Sequence, residues 1–199
     1  TFGERVKAAL KGFSFGEFKP EFPGVAEPRT GKSMGESCED MAKTWQITRE
    51  DQDRLAYESH QKAAAAYARG FYSDLVMPFC GLDKDNILRP DTSLEKLATL
   101  KPAFDKRSGM GTLTAGNSTN LSDGASVALL SSEQWAHDNN REIQAYLVDA
   151  QVAAVDFVAG EGLLMAPAWA VAQLLKRNNL SLQDFDFYEI HEAFAAQVL

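Results

Sequence analysis

From Gly109 onward, strand-like and helix-like stretches take turns, and that order limits the fold more than any other feature of the chain. Residues 110–117 are strand-like and run into a small-residue loop, Thr114-Ala-Gly-Asn-Ser-Thr119. Val127-Ala-Leu-Leu130 is a short apolar run of the kind a buried strand carries, and residues 132–140 have the polar character of a surface helix. Residues 143–155 alternate and then turn continuously apolar, which predicts a long strand. Pro167 opens an apolar-periodic helix through Val171 and Leu175, in the first turn where a missing N–H costs nothing. Ser181-Leu-Gln-Asp184 predicts a brief helical turn, residues 185–190 a strand, and Glu192-Ala-Phe-Ala-Ala-Gln197 a final helix. Such alternation means a layered α/β fold, with helices covering the apolar faces of a sheet.

Upstream of Gly109 the pattern is helical and irregular. Residues 1–32 are rich in Gly, Pro, Phe and Lys, including Phe13-Ser-Phe-Gly-Glu-Phe-Lys-Pro-Glu-Phe-Pro-Gly24. Pro20, Pro23 and the glycines predict an extended surface loop with no long helix. Ser37-Cys-Glu-Asp40 fits a capping box ahead of the apolar face Met41, Ala42 and Trp45. Thr48-Arg-Glu-Asp51 starts a second helix, through Leu55 and Ala63 to a stop near Gly70. Leu75-Val-Met-Pro-Phe79 predicts a short edge strand, because Pro78 cannot donate to a central ladder. Thr92-Ser-Leu-Glu95 caps a third helix that ends before Lys101-Pro102. No repeat of solenoid length runs through the chain.

The net charge of −8 argues against nucleic acid as a partner, since neutralising phosphates needs an excess of Lys and Arg. The two cysteines, Cys38 and Cys80, form no CxxC and have no histidine pair nearby. Neither a disulfide framework nor a metal site is expected, and the thiols are expected to be free, as in a reducing compartment. No apolar run approaches the roughly 20 residues of a transmembrane helix. The start, Thr1-Phe-Gly-Glu-Arg-Val-Lys7, has no initiating Met and no signal-peptide core, so the chain reads as an internal piece of a longer protein.

Several residues are candidates for chemistry. His191 falls where the predicted last strand gives way to the last helix, the edge at which α/β sheets bind ligands. His191-Glu192 begins like the zinc motif H-E-x-x-H, but position 195 is Ala and the second ligand is missing. The imidazole is then either a structural hydrogen-bonding group or an N–H donor to a developing oxyanion. The loop 114–119 is either a plain turn or a place where backbone and hydroxyls approach a ligand closely, as Gly116 permits. Arg89, beside Pro90, is a surface arginine or a bidentate phosphate ligand. His60 and His137 read as structural or solvated, and neither cysteine has the helix-start or cationic setting that makes a reactive thiolate.

Taken in order, these stretches resemble the thiolase family, the acyl-CoA C-acyltransferases. The resembling words are Ser33-Met-Gly-Glu-Ser-Cys-Glu-Asp-Met-Ala42, Ile47-Thr-Arg-Glu-Asp-Gln-Asp53, Ser59-His-Gln-Lys-Ala63, Leu100-Lys-Pro-Ala-Phe-Asp105, Thr112-Leu-Thr-Ala-Gly-Asn117, Ser122-Asp-Gly-Ala125 and His191-Glu-Ala-Phe-Ala-Ala-Gln197. The resemblance implies an incomplete thiolase-like α/β layered fold. Residues 1–108 would be the family's helical, irregular loop domain, 109–140 the closing segment of the first βαβαβαββ half, and 141–199 the start of the second. His191 stands where most thiolases have Asn, which is similar to the β-subunit of the fatty-acid-oxidation complex, as is Leu163-Leu-Met-Ala-Pro-Ala-Trp169.

The implied reaction is cleavage of a 3-ketoacyl-CoA by CoA to acetyl-CoA and a shortened acyl-CoA, through an acyl-cysteine. By resemblance, His191 helps build the oxyanion hole and is the catalytic residue of this chain. Met34, Arg89, Phe104, Ser118, Thr119, Ala193 and Phe194 would contact coenzyme A, which is a substrate, with no permanently bound cofactor and no metal. The partners implied are acyl-CoA and CoA, further copies of the protein, and a hydratase/dehydrogenase α-subunit, in the cytoplasm or, in a eukaryote, the mitochondrial matrix. The family's nucleophilic cysteine has no counterpart here, and Cys38 stands at a helix position where the family usually has Ala. The chain alone is therefore expected to be inactive. The competing readings are a biosynthetic acetoacetyl-CoA thiolase and a non-catalytic CoA-binding or oligomerisation module.

Overall fold

The computed structural model describes residues 2–11 and 24–199. The first helix, α1 (Phe2–Lys11), overturns the expectation that residues 1–32 hold only a loop. The helix-breaking prolines lie beyond it, and residues 12–23 of the expected loop lie outside the described residues. α2 (Met34–Thr44) begins three residues before Ser37, the expected cap. Ser33 is the N-cap instead: its hydroxyl accepts from the Glu36 N–H at 3.2 Å, and the Glu36 carboxylate accepts from the Ser33 N–H at 2.8 Å. α3 (Arg49–Ala68) starts at Thr48 as expected, with the Thr48 hydroxyl accepting from the Asp51 N–H, and ends at Gly70, whose φ of 75° suits glycine. α4 (Leu94–Ala98) is capped by Ser93.

α5 (Glu133–Asp138) is capped by Ser132, and α6 (Ala166–Asn178) carries Pro167 in its first turn. α6 stops at Asn179 in the left-handed conformation, with φ of 53°. A 3₁₀ turn, Leu182–Asp184, follows, closed by the reciprocal Ser181–Asp184 capping box. α7 (Ala195–Val198) is shorter than predicted and has Phe194 as its N-cap, so His191 precedes the helix by a short turn. No described helix is long and apolar enough to cross a membrane.

The helices α2, α3, α4 and α7 form a packed body. α2 lies against α7, and α3 against both α4 and α7. Cys38, Met41, Ala42, Leu113 and Ala196 are buried together, with Ile47, Phe104, Leu164, Met165 and Phe194 packed around them. Full burial of a side chain the size of Leu113 contributes about 1.5–3 kcal/mol.

The expected strands form no ladder among the described residues. Residues 75–79 contribute only an isolated bridge, Phe79 to Leu82, around a turn at Cys80. In 110–117, Thr114 bridges Pro102, the Leu113 carbonyl accepts from the Ala103 N–H at 2.8 Å, and side chains accept from the N–H groups of Thr112, Leu113 and Thr114. Residues 127–130 lie open, with Val127 98% exposed, and so do most of 143–155 and 185–190. A strand needs a neighbour that accepts from its N–H groups and donates to its C=O groups, and these segments have none within the described residues. The period of two survives nonetheless: residues 151, 153, 155 and 157 are half-buried while 152, 154, 156 and 158 are exposed. α6 has no buried residue. Polar contacts tether it to this segment, from Arg177 and Asn178 to the Asp149 carboxylate at 2.6–2.9 Å and from Arg177 to Gln151 at 2.6 Å.

Candidate functional site

The loop 114–119 is placed by buried polar groups. The Glu39 carboxylate of α2, 2% exposed, accepts from the Thr112 N–H at 2.7 Å, the Thr112 hydroxyl at 2.9 Å and the Leu113 N–H at 3.1 Å. The Gln52 amide of α3 donates to the same Thr112 hydroxyl at 3.0 Å. Asn117, equally buried, accepts from the Thr114 N–H at 2.7 Å and donates to Asp53 at 3.0 Å and to the Thr112 carbonyl at 3.1 Å. Asp53 is paired with Arg49 at 2.7 Å, and Arg49 also donates to the Leu97 carbonyl of α4 at 2.6 Å. Two helices and the loop are thus joined by bonds that leave no charge without a partner, which is the condition for burying charge at all. Gly116 is required for a reason other than ligand approach alone: a Cβ there would come within 2.6 Å of the Leu97 and Leu100 side chains.

This loop is stapled to the turn before α7. Ser118 and Phe194 form an antiparallel bridge, with the Thr119 N–H on the Ala193 carbonyl at 2.8 Å and the Ala195 N–H on the Asn117 carbonyl at 3.0 Å. Phe194 meets Phe104 edge to face, centroids 5.8 Å apart. Phe104 in turn lies against Gly35, where a Cβ would stand 2.0 Å from the ring, next to the half-exposed Met34. Six of the expected positions, Met34, Phe104, Ser118, Thr119, Ala193 and Phe194, therefore belong to one connected surface.

Arg89 joins part of it. A cavity of about 290 Å³ is lined by Arg89, Ser118 and Thr119, together with His60, Glu192 and Gly116. One guanidinium nitrogen of Arg89 donates to the carbonyls of Asn86, Ile87 and Leu88 at 2.8–3.1 Å, and the other nitrogens make no hydrogen bond among the described residues. The Ser118 hydroxyl is buried without a partner. Buried polar atoms are almost always satisfied, so an orphan on a cavity wall fits a polar ligand or water.

His191 is exposed and lines a different space, a groove of about 790 Å³ between α3 and residues 188–192. Its ring makes no hydrogen bond among the described residues, which leaves both nitrogens open to a ligand or water. Glu192 lines both spaces and is held by the Ser59 hydroxyl of α3, which donates to its carboxylate. Ser59, His60 and Glu192 were not among the expected site residues. Ser59 and His60 sit in an alanine-rich stretch whose pattern signals only a helix, and their partners are 133 and 29 residues away in sequence.

Neither cysteine of the chain has a nucleophile's setting. Burial, and then the adjacent Glu39 charge, push the fully buried Cys38 thiol up to about 12. Cys80 is exposed at a turn in the left-handed conformation, φ 48°. A thiolate attacks and a thiol does not, so Cys38 is inert at neutral pH.

Two family models match the chain: thiolase, N-terminal domain, over residues 17–134, and thiolase, C-terminal domain, over residues 141–199. The chain is similar to a 3-ketoacyl-CoA thiolase of Vibrio cholerae serotype O1, 42% identical over an alignment covering 100% of this chain and 46% of the relative. It is likewise similar to a 3-ketoacyl-CoA thiolase of Alteromonas mediterranea, at 41% identity with the same coverage. Among solved structures, the Bacillus anthracis acetyl-CoA acetyltransferase matches with a TM-score of 0.76 and 34% identity, over 91% of this chain and 48% of that one. The chain spans about half the length of the relatives it matches.

Proposed function

The chain belongs to the thiolase family and has part of its α/β fold, and on that premise we propose that it is a stretch of a 3-ketoacyl-CoA thiolase that cleaves 3-ketoacyl-CoA with CoA. The observation that carries the reading is the staple between residues 117–119 and 193–195, next to the cavity that Arg89 enters. The staple joins the two loops into one wall that can follow a long, thin ligand, and Arg89 supplies a cation for phosphates at one end. Coenzyme A has this shape: a pantetheine arm ending in phosphates.

In this reading, Arg89 contacts the phosphates, and Ser118 and Thr119 line the polar part of the arm. Met34, Phe104, Ala193 and Phe194 flank its apolar part and the thioester end. His191 offers an N–H to the thioester oxygen as negative charge develops there, directly or through a held water. The acyl-accepting cysteine is supplied by neither Cys38 nor Cys80. Coenzyme A is a substrate, and no permanent cofactor is invoked. Residues 1–108 form the loop domain, 109–140 close the first α/β half and 141–199 open the second. The gap between the two matched family regions, at 134–141, supports the last boundary. Association into homo-oligomers, with a hydratase/dehydrogenase α-subunit, and a cytoplasmic location complete the proposal.

The biosynthetic alternative draws on the solved acetyl-CoA acetyltransferase. Comparing short and long 3-ketoacyl-CoA substrates with a longer protein containing this stretch separates the two. For the chain itself, calorimetry with coenzyme A is expected to show binding that Arg89→Ala weakens at least about tenfold, the loss of one or two charge-assisted phosphate bonds. It is also expected to release no acetyl-CoA from 3-ketoacyl-CoA. Binding indifferent to Arg89, or measurable thiolysis by this chain, would overturn the reading.

A further inference from the structure

One helix holds both walls of the 290 Å³ cavity. Adjacent residues of α3 do this: Ser59 donates to Glu192 on one side, and His60 accepts from the Arg89 backbone N–H at 3.3 Å on the other. The neighbouring Gln61 donates to the Pro90 carbonyl at 3.2 Å, and the Tyr67 hydroxyl accepts from the Asp85 N–H at 3.0 Å. The 85–90 loop thus hangs from α3 by three bonds. Gln61 has no titratable group, so its bond does not depend on pH. The His60 bond is different, because Nδ1 accepts only while it carries no proton.

We propose that His60 is a positioning residue for the Arg89 wall: its unprotonated Nδ1 anchors the Arg89 backbone, and proton uptake by the ring releases that anchor and opens the cavity mouth. Protonation turns the acceptor into a donor facing another donor, so the bond is lost and two N–H groups repel. The charged groups facing the ring are Arg89 and Asp85 on the 85–90 loop and Glu192 on the turn before α7. Burial and the Arg89 charge hold the ring below its ordinary value of 6.5, against the opposing pull of Asp85 and Glu192. The anchor is therefore set at neutral pH and released only on acidification. The consequence for coenzyme A rests on the function proposed above; the anchor itself does not.

The test is amide hydrogen exchange and ring-nitrogen NMR on the labelled 199-residue chain between about pH 8 and 5. The high-pH ring is expected to carry no proton on Nδ1. The protection factor of the Arg89 amide should fall at least tenfold with the midpoint of the His60 ring. His60→Asn, whose side-chain oxygen can stand near the Nδ1 position without titrating, should keep the amide protected across the range. His60→Phe should leave it unprotected at every pH, and the wild-type and His60→Asn comparison decides the matter if that variant does not fold. An Arg89 amide that stays protected while the ring titrates, or a high-pH proton on Nδ1, overturns the proposal. Coenzyme A calorimetry runs in parallel. A pH-released anchor without coenzyme A binding sinks the substrate reading alone, and binding without a pH-dependent amide sinks the anchor alone.

Discussion

Two stretches that both have strand character in the sequence behave in opposite ways. Residues 112–117 hold three buried residues, Leu113, Thr114 and Asn117, and are bonded, whereas residues 143–155 lie largely open. The difference lies in where each backbone finds its partners. Glu39 and Asn117 satisfy the first stretch with side chains, and the chain carries both. The second needs a strand alongside it, and none of the described residues provides one. A strand-like run whose N–H groups are met by side chains settles among the described residues, while one that needs a ladder does not.

The largest blow to the closed region should come from Glu39→Ala. It would strand the donors of Thr112 and Leu113 in the interior, at a cost of about 3 kcal/mol or more. A urea midpoint that does not move would show that this network is not what closes the region. Gly35→Ala comes next: its Cβ would collide with the Phe104 ring, costing about 1–3 kcal/mol and disturbing the contact with Phe194. Near-ultraviolet circular dichroism and the urea midpoint should shift together.

Acid sharpens the comparison further. In the closed region, hydrogen bonds from Lys43 and then Ser108 hold Asp105 well below the usual carboxylate range. In the open region, Asn178 and then Arg177 hold Asp149 at about 2. Both folded values are depressed, so each contribution is complete above the ordinary carboxylate value of about 3.9 and fades as pH falls through the folded value. Lys43 has the opposite sign: its pKa is raised, chiefly by the Asp105 hydrogen bond, so its share is complete below the ordinary lysine value and fades at high pH. With no buried residue to hold it, α6 should lose amide protection on acidification before α2 does. The reverse order would mean that α6 has more than polar tethers. The smallest effect is expected from Val148→Lys, which should change stability by no more than about 0.5 kcal/mol while lowering light scattering at high protein concentration. A larger loss of stability would show that this segment packs against something.

The helices were legible because their signals are local. Thr48 and Pro167 each mark a start within a few residues of the turn they affect. The start of α2 was misplaced because two cap-like words follow one another, and only Ser33-Met-Gly-Glu36 has a Glu positioned to reach back. α1 departs from the expectation because Pro20 and Pro23 break a helix only locally, and residues 2–11 lie well upstream of them. Strand character was legible in 151–157, where the period of two is kept, but ladders depend on partners that local pattern does not reveal. At the site, the two loops could be picked out by residue type, whereas the staple between them joins residues about 75 apart. The bond that His60 accepts leaves no trace in the sequence, because its partner is a backbone N–H, which every residue but proline owns and no pattern marks.

The two cysteines, so unlike in setting, make the chain its own reporter. Cys80 stands in solvent and Cys38 is sealed at the centre of the closed core. A thiol-reactive dye at neutral pH should therefore label the molecule once and quickly. The second label can enter only when α2 parts from α7, so its rate would time the opening of the core without any engineered probe.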